Sequence, residues 1–396
     1  MTRSSPGGAI PPLLKHLNER TVLEAIRAGA PISRAEISRR AGISKPTVSL
    51  ALQSLLDAGL VREAPHDGDR RSYGAVFFES VPDAALVLGL DLGARFLRGA
   101  LCDLGGQVRA RQDVELRGAD AEGAIDAIAD LRLSLVQASG LSDELLDGVV
   151  VGVPGVVESG PGRLHRLHLA TNVPGLEGRP FGAELGDRLE LPVSLENDIN
   201  LAAVGEQWLG VARGVDDFVF LSIGTGLGAG LVVGGELHRG HHGAAGEVDY
   251  ALAGLEQDVD PCAGAVSALA ARLGDEHAGE TSLAPPYDVR AIFAEARAGD
   301  GLARTLVEEV ARRIALHIVP IAAVADIALV VLGGGLGSNG DLLLEPVRGL
   351  LARWVPYPPR VEVSSLGEAA VLTGALAVAR RSALDNVFEN RPAARV

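Results

Sequence analysis

Ser44, Lys45, Thr47, Ser49 and Gln53 are small or polar and share one side of a helical run. The other side, Val48, Leu52, Leu55 and Leu56, recurs at i, i+4, i+7 and i+8 and is apolar. Polar side chains near a helix N-terminus can reach base edges, and the free amides there can meet phosphate. Arg34, one helix earlier, and the pair Arg70 and Arg71 add cations that could reach a groove or the DNA backbone. A different chemistry is available at Asp91-Leu-Gly93, where a strand delivers a carboxylate into a tight hairpin. Such a carboxylate can sit beside a phosphate-bound Mg²⁺. An ordinary turn accounts for the same three residues.

The polar set must be positioned by two short helices. Leu17, Val22, Leu23 and Ile26 predict a first helix over 15–28, stopped by Gly29. Ser33-Arg-Ala-Glu36 matches a capping box, with Ser33 accepting from the Glu36 amide and Glu36 reaching back. That helix ends near Ala41-Gly42. A third begins at Ser44, tolerates Pro46 in its first turn and runs to Leu56 or Ala58. Two helices joined through Gly42-Ile43, the second polar-faced, form the helix-turn-helix pattern. A β-wing follows: Val61-Arg-Glu, a turn over His66–Asp69, then Ser72 to Phe78, with Arg70 and Arg71 at the tip. A helical docking module with a solvated polar stripe is the plainer alternative.

Beyond Val81-Pro-Asp83 the pattern changes. Apolar strands end in glycine at Gly148–Val153, Phe218–Ile223 and Ile327–Leu332, and helices are expected near 120–138, 198–209, 286–298 and 302–325. Alternation of this kind predicts α/β organisation. Widely separated glycine-rich strand ends predict a cleft between two lobes, and there is no Gly-x-x-x-x-Gly-Lys-Ser/Thr loop. The apolar run from Ile314 to Leu332 contains His317, Pro320 and Asp326, so it reads as a buried helix followed by a buried strand. The expected domains are 12–80, 84–210 and 211–381.

Residues 33–49 and 55–61 resemble the winged-helix domain of ROK-family repressors. Asp91-Leu-Gly93, Ile223-Gly224-Thr225-Gly226 and Leu332-Gly333-Gly334-Gly335 resemble the phosphate-1, phosphate-2 and adenosine motifs of actin-like sugar kinases. Leu195–Asn200 resembles the family's sugar-binding Glu-Asn-Asp motif, and Arg239–Glu247 its second sugar-contacting loop. The resemblance spans residues 12 to about 381. It implies an α/β chain: a winged helix-turn-helix joined to a two-lobed, actin-like (ribonuclease-H-like) sugar-kinase fold. It also implies a sugar site at Gly155, Thr171, Asn172, Asn197, Asp198, Glu247 and Tyr250, with Asp198 as general base if the chain is a kinase. Sugar hydroxyls both donate and accept, so carboxylates and amides suit them. A helix cap opening near Asn200 explains Asn197 and Asp198 without any ligand.

The sequence departs from the family pattern in several places. Arg95 stands where the phosphate-1 motif usually has Thr, placing a long cation near the phosphates. Tyr250 replaces the His of Glu-x-x-His. The cysteine-rich element is reduced to Asp258-Val-Asp-Pro-Cys262-Ala-Gly264, so no structural zinc is expected. His238, His241 and His242 read as solvated. Leu50 occupies a position where a basic residue is frequent, so the family's base preference is not carried over. No cofactor is required by this reading; ATP and Mg²⁺ belong to the kinase alternative alone.

Charge narrows the partners. The chain carries −15 overall, but residues 1–80 hold 11 Lys+Arg against 8 Asp+Glu, +3, leaving −18 for the rest. A polyanion would be accepted only at the small N-terminal part. Two cysteines suit a reducing cytoplasm, and neither a signal peptide nor a membrane span is expected. The reading that follows is a cytoplasmic repressor, a homodimer or homotetramer, bound to double-stranded operator DNA. A sugar or sugar derivative closes its lobes. A sugar kinase with a DNA-binding head and an interaction scaffold are the rivals.

Overall fold

Serines cap the second and third helices of the N-terminal head, which contains α1 (Pro12–Arg27), β1 (Ile32–Ser33), α2 (Arg34–Ala41), α3 (Lys45–Asp57), β2 (Val61–Ala64) and β3 (Phe77–Ser80). The structure, a computed structural model, describes residues 12–65, 75–116, 118–158, 166–170, 173–276 and 279–390. Ser33 Oγ accepts from the Glu36 amide at 3.3 Å, and Ser44 Oγ from the Thr47 amide at 3.4 Å. Only half of the expected capping box forms: Glu36 turns to Arg39 and Arg40, because Ser33 is already paired in β1 with Phe77. Gly42, at φ 66°, ends α2. Val22, Ile26, Ile37, Val48, Leu52 and Phe78 fill the head's core, whereas Leu56 is only half-buried. The second wing strand, expected over 72–78, is described from Phe77 to Ser80; the tip with Arg70 and Arg71 lies outside the described residues.

Two five-stranded sheets follow, and they share one topology. The first lobe comprises β4 (Leu86–Leu92), β5 (Phe96–Asp103), β6 (Val108–Glu115), α4 (Ala121–Ser139), β7 (Leu146–Val153), β8 (Val156–Glu158), β9 (Arg166–His168), α5 (Phe181–Leu189), β10 (Val193–Asn197) and α6 (Asp198–Leu209). Its sheet runs β10-β7-β4-β5-β6, with β4, β7 and β10 parallel and the β4–β5–β6 meander antiparallel. The second comprises β11 (Phe218–Ile223), β12 (Leu227–Val233), β13 (Glu236–Leu237), α7 (Ala263–Glu276), α8 (Val289–Ala298), α9 (Gly301–Ala325), β14 (Leu329–Gly333), α10 (Gly334–Gly337), α11 (Gly340–Trp354) and β15 (Arg360–Val363). Its order, β13-β12-β11-β14-β15, repeats the first: earliest strand central, antiparallel hairpins on one side, parallel strands on the other. That repeat is the two-lobed ribonuclease-H-like architecture. The central strands read as apolar runs because both faces are covered; all seven residues of β4 are buried. The Ile314–Leu332 run divides as expected, α9 ending at Asp326 (φ 46°) before β14.

The last helix, α12 (Ala370–Asn390), returns to the first lobe. Its early residues fall inside the 211–381 range assigned from sequence to the second, yet it packs on α6, β4 and β7. Two glycines permit this. A Cβ on Gly374 would stand 1.8 Å from the Leu201 carbonyl oxygen, and one on Gly205 2.3 Å from that of Ala370, so the α6 and α12 backbones touch. The head joins the same layer. Val22, Leu23 and Ile26 share one apolar cluster with Val87 and Ala100 of the first sheet and with Leu376 and Ala379 of α12.

Candidate effector cleft and nucleic-acid face

The outer face of α3 carries the residues expected to meet DNA. Ser44, Lys45 and Gln53 are exposed, Thr47 and Ser49 half-exposed, and Arg34 is exposed at the start of α2. Several are tied locally. Ser44 and Thr47 hydroxyls lie 2.8 Å apart, Ser49 Oγ donates to the Lys45 carbonyl at 3.0 Å, and Gln53 Nε2 donates to Asp57 at 2.8 Å. Leu50, 65% exposed, stands among them.

In the cleft, α6 begins where β10 ends. Asn197 is the helix cap: its Oδ1 accepts from the Asn200 amide at 2.9 Å, and its Nδ2 donates to the Gly155 carbonyl at 2.9 Å. The capping alternative therefore holds for Asn197. It does not account for Asp198, whose carboxylate accepts from the adjacent Ile199 amide at 2.9 Å and from its own backbone amide. Burial, and next the charge of Asp91, push Asp198 up to about 7, with a further contribution from Glu247. Burial pushes Asp91 up to about 6 against the opposing pull of Arg98. Burial and Asp249 raise Glu247 as well. The structure thus gathers Asp91, Asp198 and Glu247 within one field and joins Asn197 to Gly155.

A bridge between the lobes was missed by sequence reasoning. Arg239 Nε donates to the buried Glu196 at 2.6 Å, and the other Glu196 oxygen accepts from the Asn197 amide and Asn200 Nδ2. Gly243 abuts the Val157 carbonyl of β8, and the Gly246 carbonyl accepts from the Ala229 amide of β12 at 2.8 Å. Residues 239–247 therefore touch both lobes while ending on Glu247. The signal was available in the opposite charges of Glu196 and Arg239, one in each sugar-site motif.

Other expected positions fall elsewhere. Tyr250 sits in a short 3-10 turn and is 64% exposed. Thr171 and Asn172 lie outside the described residues. Arg95 pairs with Glu115 at 3.6 Å, stacks beside Phe96 and is largely exposed. The cation on Asp91 is Arg98, directly opposite in the β4–β5 register, with Nη1 donating at 3.2 Å. The same guanidinium reaches Glu368 at 3.1 Å. Gly93 closes the β4–β5 turn through its amide on the Phe96 carbonyl.

The two remaining glycine turns abut. A Cβ on Gly224 would lie 3.7 Å from the Gly335 nitrogen, and Thr225 and Gly226 are exposed beside them. Gly333 is held against the Phe220 ring and Gly334, at φ 77°, against the Ile223 backbone, so packing alone requires these two.

Among the described residues no group of three or more His, Cys, Asp or Glu could hold a metal ion. The family's zinc does not fit the donors present. Cys262 is buried, its thiol is driven far up by burial and by Asp260, and Tyr250 supplies no nitrogen. Among the described residues no helix is long and apolar enough to cross a membrane.

A winged head on a duplicated ribonuclease-H-like body, with carboxylates at the cleft, defines a sugar-kinase-like regulator architecture. The ROK family profile matches residues 87–382, and a MarR family profile matches residues 16–72. The chain belongs to the ROK family. It is 27% identical over 389 residues to a xylose repressor of Caldicellulosiruptor bescii, covering 92% of this chain and 96% of that one. It is 28% identical over 281 residues to a glucokinase of Halalkalibacterium halodurans, covering 66% and 83%. The crystal structure of a ROK family transcriptional regulator, a homolog of the E. coli MLC protein, superposes with TM-score 0.79 at 21% identity, covering 95% and 98%. Winged head and body therefore recur together in one fold.

Proposed function

We propose that the chain is a cytoplasmic transcriptional repressor of sugar genes, a homodimer or higher oligomer whose kinase-like cleft senses a sugar or sugar derivative. One observation carries the reading. Helix α6 opens at the cleft with Asp198, packs backbone to backbone on α12, and α12 shares its apolar cluster with α1 of the head. A ligand that draws residues 239–247 toward Asp198 has a contiguous route to the DNA-binding helices. It regulates only by binding the two arrangements unequally. The match to a xylose repressor over nearly the whole chain supports the same reading. Operator half-sites then lie about one helical turn apart, or a multiple of it.

Arg98 supports a sensor over a kinase. A kinase would use Asp91 beside Mg²⁺ and phosphate; here that carboxylate holds an internal guanidinium. Asp198 would be the kinase base and, in the sensor, accepts a hydrogen bond from a sugar hydroxyl. Gly155, Asn197 and Glu247 complete the proposed pocket, with Thr171, Asn172 and Tyr250 as further candidates.

The test is binding of full-length protein to promoter duplexes with and without a panel of pentoses and hexoses. One sugar is expected to change affinity, and Asp198→Asn is expected to bind DNA normally without responding. An unaltered response in Asp198→Asn returns that residue to a structural role. Sugar-dependent ADP release that Asp198→Ala abolishes would establish the kinase reading instead.

A further inference from the structure

Leu50 occupies the middle of the DNA-facing surface. At about 100° per residue, it lies opposite the buried line of Val48, Leu52 and Leu55, with Pro46 one turn before it and Gln53 one turn after. Thr47 and Ser49 flank it. A single exposed leucine is ordinary on a protein surface. This one stands at the sixth position of the helix whose first turns enter the major groove in helix-turn-helix proteins. Its neighbours are restrained: the Ser49 hydroxyl is turned back on Lys45, and the Gln53 amide is held by Asp57. Pro46 and Leu50 therefore form an apolar strip at the centre of an otherwise polar face.

We propose that Leu50 is a base-reading residue whose target is the C5 methyl group of a thymine, one in each operator half-site. The inference rests on the DNA-binding reading above and adds the chemistry of one base position. The thymine methyl is the apolar feature of the major-groove edges. Cytosine at the same place carries a hydrogen at C5 instead of the methyl, so leucine loses its apolar contact there.

The experiment selects duplexes from a random-sequence pool with the full-length chain. Each thymine of the selected duplex is then replaced in turn by deoxyuridine, which removes only the methyl group. Wild-type protein is expected to lose about fourfold in affinity at one position per half-site, the worth of one buried methyl. 5-Methylcytosine opposite guanine at that position is expected to bind better than cytosine. Leu50→Ala, on an exposed site that leaves the head's core untouched, is expected to bind thymine and deoxyuridine duplexes equally. Equal binding of the two duplexes by wild-type protein at every position overturns the proposal while leaving DNA binding intact. A deoxyuridine penalty that persists in Leu50→Ala assigns the methyl to another residue and also overturns it. Failure to enrich any sequence overturns the DNA-binding reading itself, and this inference with it.

Discussion

Arg239 Nε lies 2.6 Å from a carboxylate oxygen of Glu196, joining the loop that ends on Glu247 to the strand end that carries Asn197 and Asp198. Glu196 is buried, and its other oxygen already serves two donors, so the guanidinium completes its hydrogen bonding. Arg239→Ala leaves that carboxylate short of a partner. Because Arg239 itself is half-exposed, the expected loss is modest, about 1–2 kcal/mol. Urea denaturation measures it. In the sensor reading the variant also loses sugar response more than DNA affinity, since the head lies far along the chain of contacts; equal loss of both would separate this bond from sensing.

The raised Asp198 carries a sign that can be worked out. In the folded chain it keeps its proton up to about pH 7, whereas an unfolded Asp releases it at about 3.9. The folded state therefore binds more protons across that window, and stability falls as pH rises through it. The penalty is absent below the unfolded value and complete above the folded one. Asp198→Asn keeps the acceptor for the Ile199 amide and removes the charge. Its melting temperature is expected to match wild type at pH 4 and to exceed it at pH 8, by a stability of roughly 1–3 kcal/mol. A difference independent of pH would show that Asp198 carries no such penalty.

Arg98 answers to the same logic from the opposite side. Its guanidinium lowers Asp91 against burial, so removing it leaves a buried carboxylate facing Asp113 and Glu368 without its counter-charge. Arg98→Ala is expected to cost about 1–3 kcal/mol at pH 8. The cost shrinks at pH 5, where Asp91, at about 6, is mostly protonated in the folded chain. Paired urea titrations at the two pH values check this. A cost that stays constant would mean that Arg98 stabilises by packing alone.

What could be read without coordinates was local or repeated. Ser33 and Ser44 announced their helices because a cap is a contact between residues three apart, and Phe218–Ile223 was bounded as a strand because its apolar run stops at Gly224. The helical stripe that buries Val48 and Leu52 leaves Leu50 on the opposite, exposed side. Arg98 escaped notice because its partnership with Asp91 depends on hairpin register, which no local pattern encodes. The return of α12 to the first lobe rests on two glycines far apart in sequence, Gly205 and Gly374, whose meeting no local pattern encodes. Asn197 was legible both as a cap and as a sugar contact, and only the geometry of Asn200 and Gly155 assigned the cap.

The glycine-rich turn after β14 separates packing from ligand contact residue by residue. Gly334 has φ 77°, and a Cβ there would meet the Ile223 carbonyl oxygen at 2.4 Å and its nitrogen at 2.7 Å. Backbone cannot yield as a side-chain tip does, so Gly334→Ala is expected to cost roughly 2–4 kcal/mol. Gly335, the next residue, lies in the short helix α10, and a methyl group added there would meet nothing within 4 Å. Gly335→Ala is therefore expected to be neutral within about 0.5 kcal/mol, or slightly stabilising through the lower entropy of the unfolded chain. Thermal melts of the two variants provide the comparison. Near-equal melts would place the demand for glycine outside packing and would return the turn to a nucleotide-binding role, which a test of ATP binding to the Gly335→Ala protein would then expose as a selective loss.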